Sequence, residues 1–241
     1  MPMDREPANF DRIAPFFRII ETLAFGKALQ RARIAFLTET RDCRRALIAG
    51  EGNGRFLVEL LRANPKVEID YVDSSATMMD LAKSVIAGAG EGCDGKIFPH
   101  VNACSRVQFH QADIRDWTPT RPGYDLIVTH FFLDCFDRKE LTSVVQQIVA
   151  AAGSQARWLL SDFVTPGTGL QRIHARLWLR TMYSFFRRAA HIEAGDLIDP
   201  SPLIRSFGFE LRQRIDSRFG LISAQLWQIP HEKFEKDLAL F

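Results

Sequence analysis

The sequence contains few cysteines, and they are scattered. The four of them, Cys43, Cys93, Cys104 and Cys135, form no C-x-x-C pair, which is the spacing used by zinc modules and redox motifs. They suggest no disulfide framework either, which favours a reducing compartment. We therefore expect a cytoplasmic protein without a metal site.

Net charge and long apolar runs are also nearly absent. The 31 basic and 29 acidic residues leave a net charge of +2, which does not indicate a nucleic-acid partner. Charged residues interrupt the N-terminus, so no signal-peptide core is expected there, and no apolar run is long enough to span a bilayer. With 241 residues, 46% of them hydrophobic, the chain fits one α/β domain with a full core, elaborated by additional helices.

Tyrosine is scarce as well, with three residues against 19 phenylalanines. This imbalance indicates large apolar surfaces, and it is consistent with an apolar substrate pocket.

Three alternating glycines dominate the first half of the chain. The apolar run Ala46–Ala49 predicts a buried strand; Gly50, Gly52 and Gly54 follow it, and the apolar spacing beyond them is helical. Such a glycine turn lets a ligand approach the backbone where a Cβ would intrude. A dinucleotide fingerprint would need a third glycine at Arg55, so the pattern here is G-x-G-x-G. A turn without a ligand is the alternative.

An acidic residue follows the second predicted strand, Val67–Val72. Asp73 lies about twenty residues beyond the glycines, where a carboxylate can accept hydrogen bonds from both hydroxyls of a ribose. Ser74 or Ser75 then begins a helix that contains Met78. The alternative for Asp73 is a simple helix cap.

A second acidic residue, Asp113, follows the third predicted strand, Arg106–His110. Together, the glycines, the Asp73-x-Ser75-x-x-Met78 pattern and Asp113 resemble the class I S-adenosylmethionine-dependent methyltransferases. The resemblance implies a three-layer, doubly wound α/β fold. Its seven-stranded, mostly parallel sheet has an antiparallel strand 7, with N-terminal helices and an inserted helix before strand 6.

The resemblance also implies S-adenosyl-L-methionine as cofactor and a set of residues that bind it. In this family Asp113 would accept from the adenine amine. One position departs from the pattern, because Ile48 stands where the family usually carries an acidic residue. The implied cofactor-binding residues are Gly50, Glu51, Gly52, Asn53, Gly54, Asp73, Ser74, Met78, Asp113, Ile114, Thr129 and His130.

The remaining strands also follow the family order. Strand four, Tyr124–Thr129, lacks the D/N-P-P-Y/F motif of enzymes that methylate nucleic-acid bases, which disfavours such a substrate. A helix over Arg138–Ala152 and a strand over Ala156–Leu160 come next. Strand six, Phe209–Ile215, and strand seven, Ile222–Ile229, are expected to close the sheet as a hairpin.

The whole chain, residues 1–241, is interpreted as a single methyltransferase domain with two additional helical segments that would cover the site. Residues 10–45 would form an N-terminal helical lid, or an amphipathic helix packed on the sheet edge. Residues 166–190 would form an inserted helix with an apolar side and an arginine stripe. That helix would act as a lid, as an interfacial patch for membrane lipid, or as a core helix with a solvated face. The expected substrate pocket comprises Phe16, Phe17, His174, Trp178 and Tyr183.

The predicted function is transfer of the sulfonium methyl group to a small, hydrophobic acceptor by in-line displacement. If the acceptor is a hydroxyl, a base would remove its proton, and His130 at the end of strand four is the best-placed candidate. Two alternatives stay open. One is a non-catalytic binder of S-adenosylmethionine or S-adenosylhomocysteine, and the other is a nicotinamide-dependent oxidoreductase, which Arg55 argues against.

Overall fold

The computed structural model describes residues 26–88, 104–164, 197–218 and 220–230. The helices of this part are α1 (Ala28–Arg33), α2 (Arg55–Ala63), α3 (Ala76–Gly88), α4 (Arg138–Ala151) and α5 (Ser201–Ser206). Its strands are β1 (Arg45–Ala49), β2 (Glu68–Asp73), β3 (Val107–Gln111), β4 (Tyr124–His130), β5 (Ala152–Phe163), β6 (Glu210–Ser217) and β7 (Ile222–Gln228). Short 3₁₀ turns lie at Leu37–Thr40, Cys104–Arg106 and Leu133–Cys135.

The strands form one seven-stranded sheet in the order β3-β2-β1-β4-β5-β7-β6. The ladders joining β3, β2, β1, β4 and β5 are parallel, whereas β7 runs antiparallel to both β5 and β6. The predicted α/β fold class and seven-stranded sheet are therefore confirmed, including the antiparallel strand seven and the closing hairpin.

Helices cover both faces of the sheet, as a mostly parallel sheet requires. One core contains apolar side chains of α1, α2 and α3. The other contains those of α4 and α5. The capping box that begins α4 fixes its entry, because Asp137 accepts from the backbone of Glu140 while Glu140 accepts from the backbone of Asp137.

Most element boundaries agree with the sequence to within two residues, and β5 is the exception. The apolar pattern predicts Ala156–Leu160, yet the strand runs from Ala152 to Phe163 and begins directly after α4. Its first residues are half-buried or exposed, so they carry no apolar signal. Pairing of Tyr124 with Ala152 extends the strand there.

The two additional helical segments predicted from the sequence lie largely outside the described residues. The inserted helix, 166–190, is wholly outside them, and of the lid over 10–45 only the part from residue 26 onward is described. Within the described ranges, no helix is long and apolar enough to cross a membrane. No group of three or more metal-ligating side chains is found in the same ranges.

Candidate functional site

The candidate site lies at the carboxyl edge of the sheet, where the strand order reverses. β1 pairs with β2 on one side and with β4 on the other. The chain therefore builds the sheet outward from β1 in one direction through β2 and β3, and in the other direction from β4 onward. Open α/β sheets bind ligands in the crevice at such a point. The register brings the ends of β1, β2 and β4 to this edge, and with them Gly50, Asp73 and His130.

The loop between β1 and α2 adopts a conformation that requires glycine. Gly50, Gly52 and Gly54 have φ values of +63°, +81° and +72°, which L-residues rarely adopt. A Cβ on Gly54 would also lie 2.9 Å from the Cα of Ala82 in α3. Gly54 thus allows α2 and α3 to pack closely.

Asp73 connects the glycine loop to the beginning of α3. One carboxylate oxygen accepts from the backbone N–H of Gly52 at 3.2 Å, and the other accepts from the N–H of Ser75 at 2.9 Å. Ser75, rather than Ser74, caps the helix, since its hydroxyl accepts from the N–H of Met78. Ser74 is exposed at the same edge, and Met78 is buried beneath Gly52.

Glu51 lies beneath the loop rather than on its surface. It is 4% exposed, and its carboxylate accepts from the N–H of Phe56 at 2.9 Å and from the Tyr71 hydroxyl at 3.3 Å. Burial raises the pKa of Glu51 to about 7, although the charge of Arg33 acts against that rise. Ile48, at the position where the family carries an acid, is fully buried in the sheet.

Asn53 supplies an unsatisfied polar atom beside the same backbone. Its side chain is 8% exposed, and its Oδ1 has no hydrogen-bond partner among the described residues. Buried polar atoms are normally paired, so an acceptor in this position fits a ligand that donates to it. The open glycine backbone, the Asp73 carboxylate and Asn53 therefore match the donors and acceptors of an adenosyl amino acid.

Asp113 follows β3 at the same edge, and Arg115 holds its carboxylate. The guanidinium Nε donates to both carboxylate oxygens at 2.9 and 3.0 Å, and another nitrogen of the guanidinium donates to Glu140. Burial acts to raise the pKa of Asp113, but hydrogen bonds from Arg115 outweigh it and lower that pKa. Because Arg115 contacts both oxygens of Asp113, the expected contact of Asp113 with an adenine amine requires an oxygen that is shared with Arg115. Ile114 lies in the core and is 4% exposed.

The last two residues of β4 point into opposite cores. Thr129 is fully buried, and its hydroxyl accepts from Nε1 of Trp158 at 2.8 Å. His130 is 2% exposed and packs edge-on against Phe56, with ring centroids 4.7 Å apart. Neither ring nitrogen has a partner among the described residues. Burial, reinforced by the charge of Arg33, lowers the pKa of His130 well below its ordinary value, so the imidazole is neutral at pH 7.

Two buried carboxyls lie near the ends of β4 and β5, Asp134 in the turn after β4 and Asp162 near the end of β5, and the sequence reasoning missed both. Asp134 is 8% exposed and Asp162 is 4% exposed. The pKa of Asp162 is raised well above its ordinary value, mainly by burial and next by the charge of the neighbouring Asp134. A hydrogen bond between the two carboxyls contributes to that rise, and a proton held between them would satisfy both. The position of Asp162 at the end of a predicted strand was the available signal.

Aromatic rings surround this end of β4 and β5. Phe131 packs against Phe163 with centroids 5.2 Å apart, and Phe132 packs against Phe136 at 5.0 Å. These rings give the edge an apolar wall beside the polar groups.

The structure thus brings together the predicted cofactor residues of the glycine loop, of β2, of the turn after β3 and of β4 at one edge of the sheet. The five residues expected to form the substrate pocket lie outside the described residues, namely Phe16, Phe17, His174, Trp178 and Tyr183.

Comparisons with known proteins agree with this geometry. Residues 46–153 match a family model described as a methyltransferase domain. None of the curated proteins matches the chain.

Solved structures of methyltransferases share the fold. The mitomycin 7-O-methyltransferase MmcR is 14% identical with a TM-score of 0.63, over 92% of this chain and 61% of that one. An O-methyltransferase described as putative, from Nostoc punctiforme, is 17% identical with a TM-score of 0.65, over 90% and 58%. The magnesium protoporphyrin IX methyltransferase of Synechocystis, solved with bound S-adenosylhomocysteine, is 14% identical with a TM-score of 0.57, over 86% and 84%. The chain spans about three fifths of the length of the first two.

Proposed function

We propose that this chain, of which residues 46–153 match a methyltransferase domain, is a class I S-adenosylmethionine-dependent methyltransferase that methylates a small hydrophobic acceptor. That match supports the family resemblance, the enzyme class and the cofactor, S-adenosyl-L-methionine, that the sequence predicts. The acceptor and the roles of individual residues are proposals.

The observation that carries the proposal is the cradle formed by the glycine loop and Asp73. The loop exposes backbone without a Cβ at three alternate positions, and the start of α2 favours a negatively charged group such as an amino-acid carboxylate. Asp73 is fixed by the N–H groups of Gly52 and Ser75. A carboxylate is a pair of acceptors, which suits the two hydroxyls of a ribose.

The bound cofactor supplies an electrophilic methyl group on a sulfonium. The contribution of the chain is to hold the two reactants in line and exclude water, and alignment of this kind accounts for a large part of the acceleration in such reactions. The rings of Phe131, Phe132, Phe136 and Phe163 at the ends of β4 and β5 support an apolar acceptor. MmcR and the protoporphyrin enzyme are named for small-molecule acceptors, which agrees with that class.

A hydroxyl acceptor would also need a group that takes its proton. His130 was predicted for this role, and its neutral ring has free nitrogens in the described structure, but its lowered pKa makes it a weak base. Asp162, beside Asp134, has a raised pKa, so it holds a proton more readily than an ordinary carboxyl and is not assigned as the base. Replacement of His130 by alanine tests the remaining candidate.

Calorimetry with S-adenosylhomocysteine and NAD tests the cofactor assignment. The chain should bind S-adenosylhomocysteine, and Asp73→Asn should weaken that binding about 10-fold or more, since a carboxylate hydrogen bond is worth roughly 1.5–3 kcal/mol. Asp80→Asn, on the exposed side of α3, is the matched control and should change nothing. Binding of NAD instead would favour the oxidoreductase and refute the proposal.

Methyl transfer separates an enzyme from a non-catalytic binder. The protein is incubated with methyl-labelled S-adenosylmethionine and a fractionated extract of small apolar metabolites. An enzyme transfers label to an extractable product in proportion to S-adenosylhomocysteine formed. Binding without any labelled product would support the non-catalytic alternative.

A further inference from the structure

The side chain of Phe132 lies directly against the first glycine of the loop. A Cβ built on Gly50 would overlap three atoms of the Phe132 ring. Gly50 is therefore required by this ring as well as by its own φ of +63°. The contact places an aromatic ring against the backbone at the point where β1 ends and the proposed cofactor site begins.

A local turn gives Phe131 and Phe132 different surroundings. Phe131 has a φ of +55°, an uncommon conformation for a residue with a side chain. Its ring belongs to the core on the α1 side, and the guanidinium of Arg33 lies 5.0 Å from the ring centroid. Phe132 packs instead against the core on the α4 side, so the two adjacent rings serve different faces of the sheet.

Phe132 is braced but not fully covered. Phe136 meets it edge to face, at an interplanar angle of 87°, and the residue is half-buried overall. Within the described ranges, no lysine or arginine lies over this ring, in contrast to the neighbouring ring with its Arg33. An aromatic face has negative electrostatic potential and attracts a cation, more strongly when water is excluded.

We infer that Phe132 is the aromatic wall that receives the positively charged sulfonium and makes the site prefer the charged cofactor over its neutral thioether product. This inference rests on the proposed function, because it assigns the ring a role within the same cofactor site. The preference has a consequence for turnover, since a product that has lost its charge loses this attraction and leaves more readily.

The test compares two ligands that differ by one methyl group and one charge. Dissociation constants for S-adenosylmethionine and S-adenosylhomocysteine are measured by calorimetry, at one pH and one salt concentration, for the wild type and Phe132→Leu. The variant should weaken binding of the charged ligand about 5- to 30-fold relative to the neutral one. Phe132→Met, which fills a similar volume without an aromatic face, should show the same change in the ratio if loss of the π-face is the cause.

Phe207→Leu is the matched control. Phe207 is another half-buried ring that packs against the same core, at the end of α5, so its loss should leave the ratio of the two constants unchanged. An unchanged ratio in both Phe132 variants overturns the inference, and so does an equal change in Phe207→Leu. Failure of the wild type to bind either ligand overturns the proposed function instead, so the two failures are distinguishable.

Discussion

Replacement of Glu51 by glutamine should make the protein more stable at neutral and alkaline pH. The carboxyl of Glu51 is buried beneath the glycine loop, and burial raises its pKa from 4.5 to about 7. A tenfold change in proton affinity corresponds to about 1.4 kcal/mol. Keeping this group ionised in the folded state therefore costs about 3 kcal/mol.

The sign follows from proton linkage. Because the folded-state pKa is raised, the folded protein binds more protons than the unfolded chain between pH 4.5 and 7. The associated stability is fully present below pH 4.5 and is lost as the pH rises through about 7. Glu51→Gln cannot ionise, so its free energy of unfolding relative to the wild type should rise across this interval by about 3 kcal/mol.

The amide can also preserve the local hydrogen bonds. Its oxygen can accept from the N–H of Phe56, as the carboxylate does at 2.9 Å. Its NH₂ can donate to the phenolic oxygen of Tyr71, whose own proton goes to the carbonyl of Gly52 at 2.8 Å. The substitution therefore removes a charge without leaving either neighbour unpaired.

Urea denaturation from pH 5 to pH 8 measures the effect as a difference between variant and wild type, which removes the contributions of all other titrating groups. Glu59→Gln is the control on α2, because Glu59 is a third exposed and pairs with Arg62. Exposed pairs contribute little, so the control should show a small difference that does not depend on pH. A difference for Glu51→Gln that stays flat from pH 5 to 8 would refute the reasoning.

Three further substitutions test the site. Gly54→Ala should lower the free energy of unfolding by about 3 kcal/mol, because a Cβ there combines a φ of +72° with an approach of 2.9 Å to Ala82; thermal unfolding measures it, and an unchanged Tm would contradict the packing argument. Asp162→Asn should become more stable relative to the wild type as the pH rises, because burial beside Asp134 raises the pKa of this carboxyl; urea denaturation from pH 5 to pH 8 measures it, and a difference that does not rise with pH would contradict it. His130→Ala should reduce turnover in the methyl-transfer assay, and unchanged turnover would remove His130 from the mechanism.

The parts of the molecule that the sequence predicts well are those encoded in short, contiguous stretches. The glycine spacing at 50–54 specifies the turn because only glycine tolerates three positive φ values in five residues. The apolar run of β4 specifies a central parallel strand because it is buried on both faces. Asp73 could be placed at the edge of the sheet because parallel strands all end there.

The features that sequence reasoning missed depend on residues that are distant in the chain. Nothing local indicates that Asp134 and Asp162 share a buried position, since the contact needs the pairing of β4 with β5. The ring of Phe132 over Gly50 is likewise a contact across about eighty residues. The long β5 was underestimated because its first residues pair through backbone atoms that carry no sequence signal.

Ile48 stands where the methyltransferases that the sequence resembles usually carry an acidic residue, and another carboxylate lies close to it in the chain. A carboxylate three residues later, at Glu51, hydrogen-bonds the start of α2 and the hydroxyl of Tyr71. It therefore orders the loop from below. The proposed recognition of the cofactor rests mainly on Asp73 and on Asn53, whose Oδ1 has no partner among the described residues. On this argument, loss of Glu51 alters stability and its pH dependence, whereas loss of Asp73 alters affinity for the cofactor.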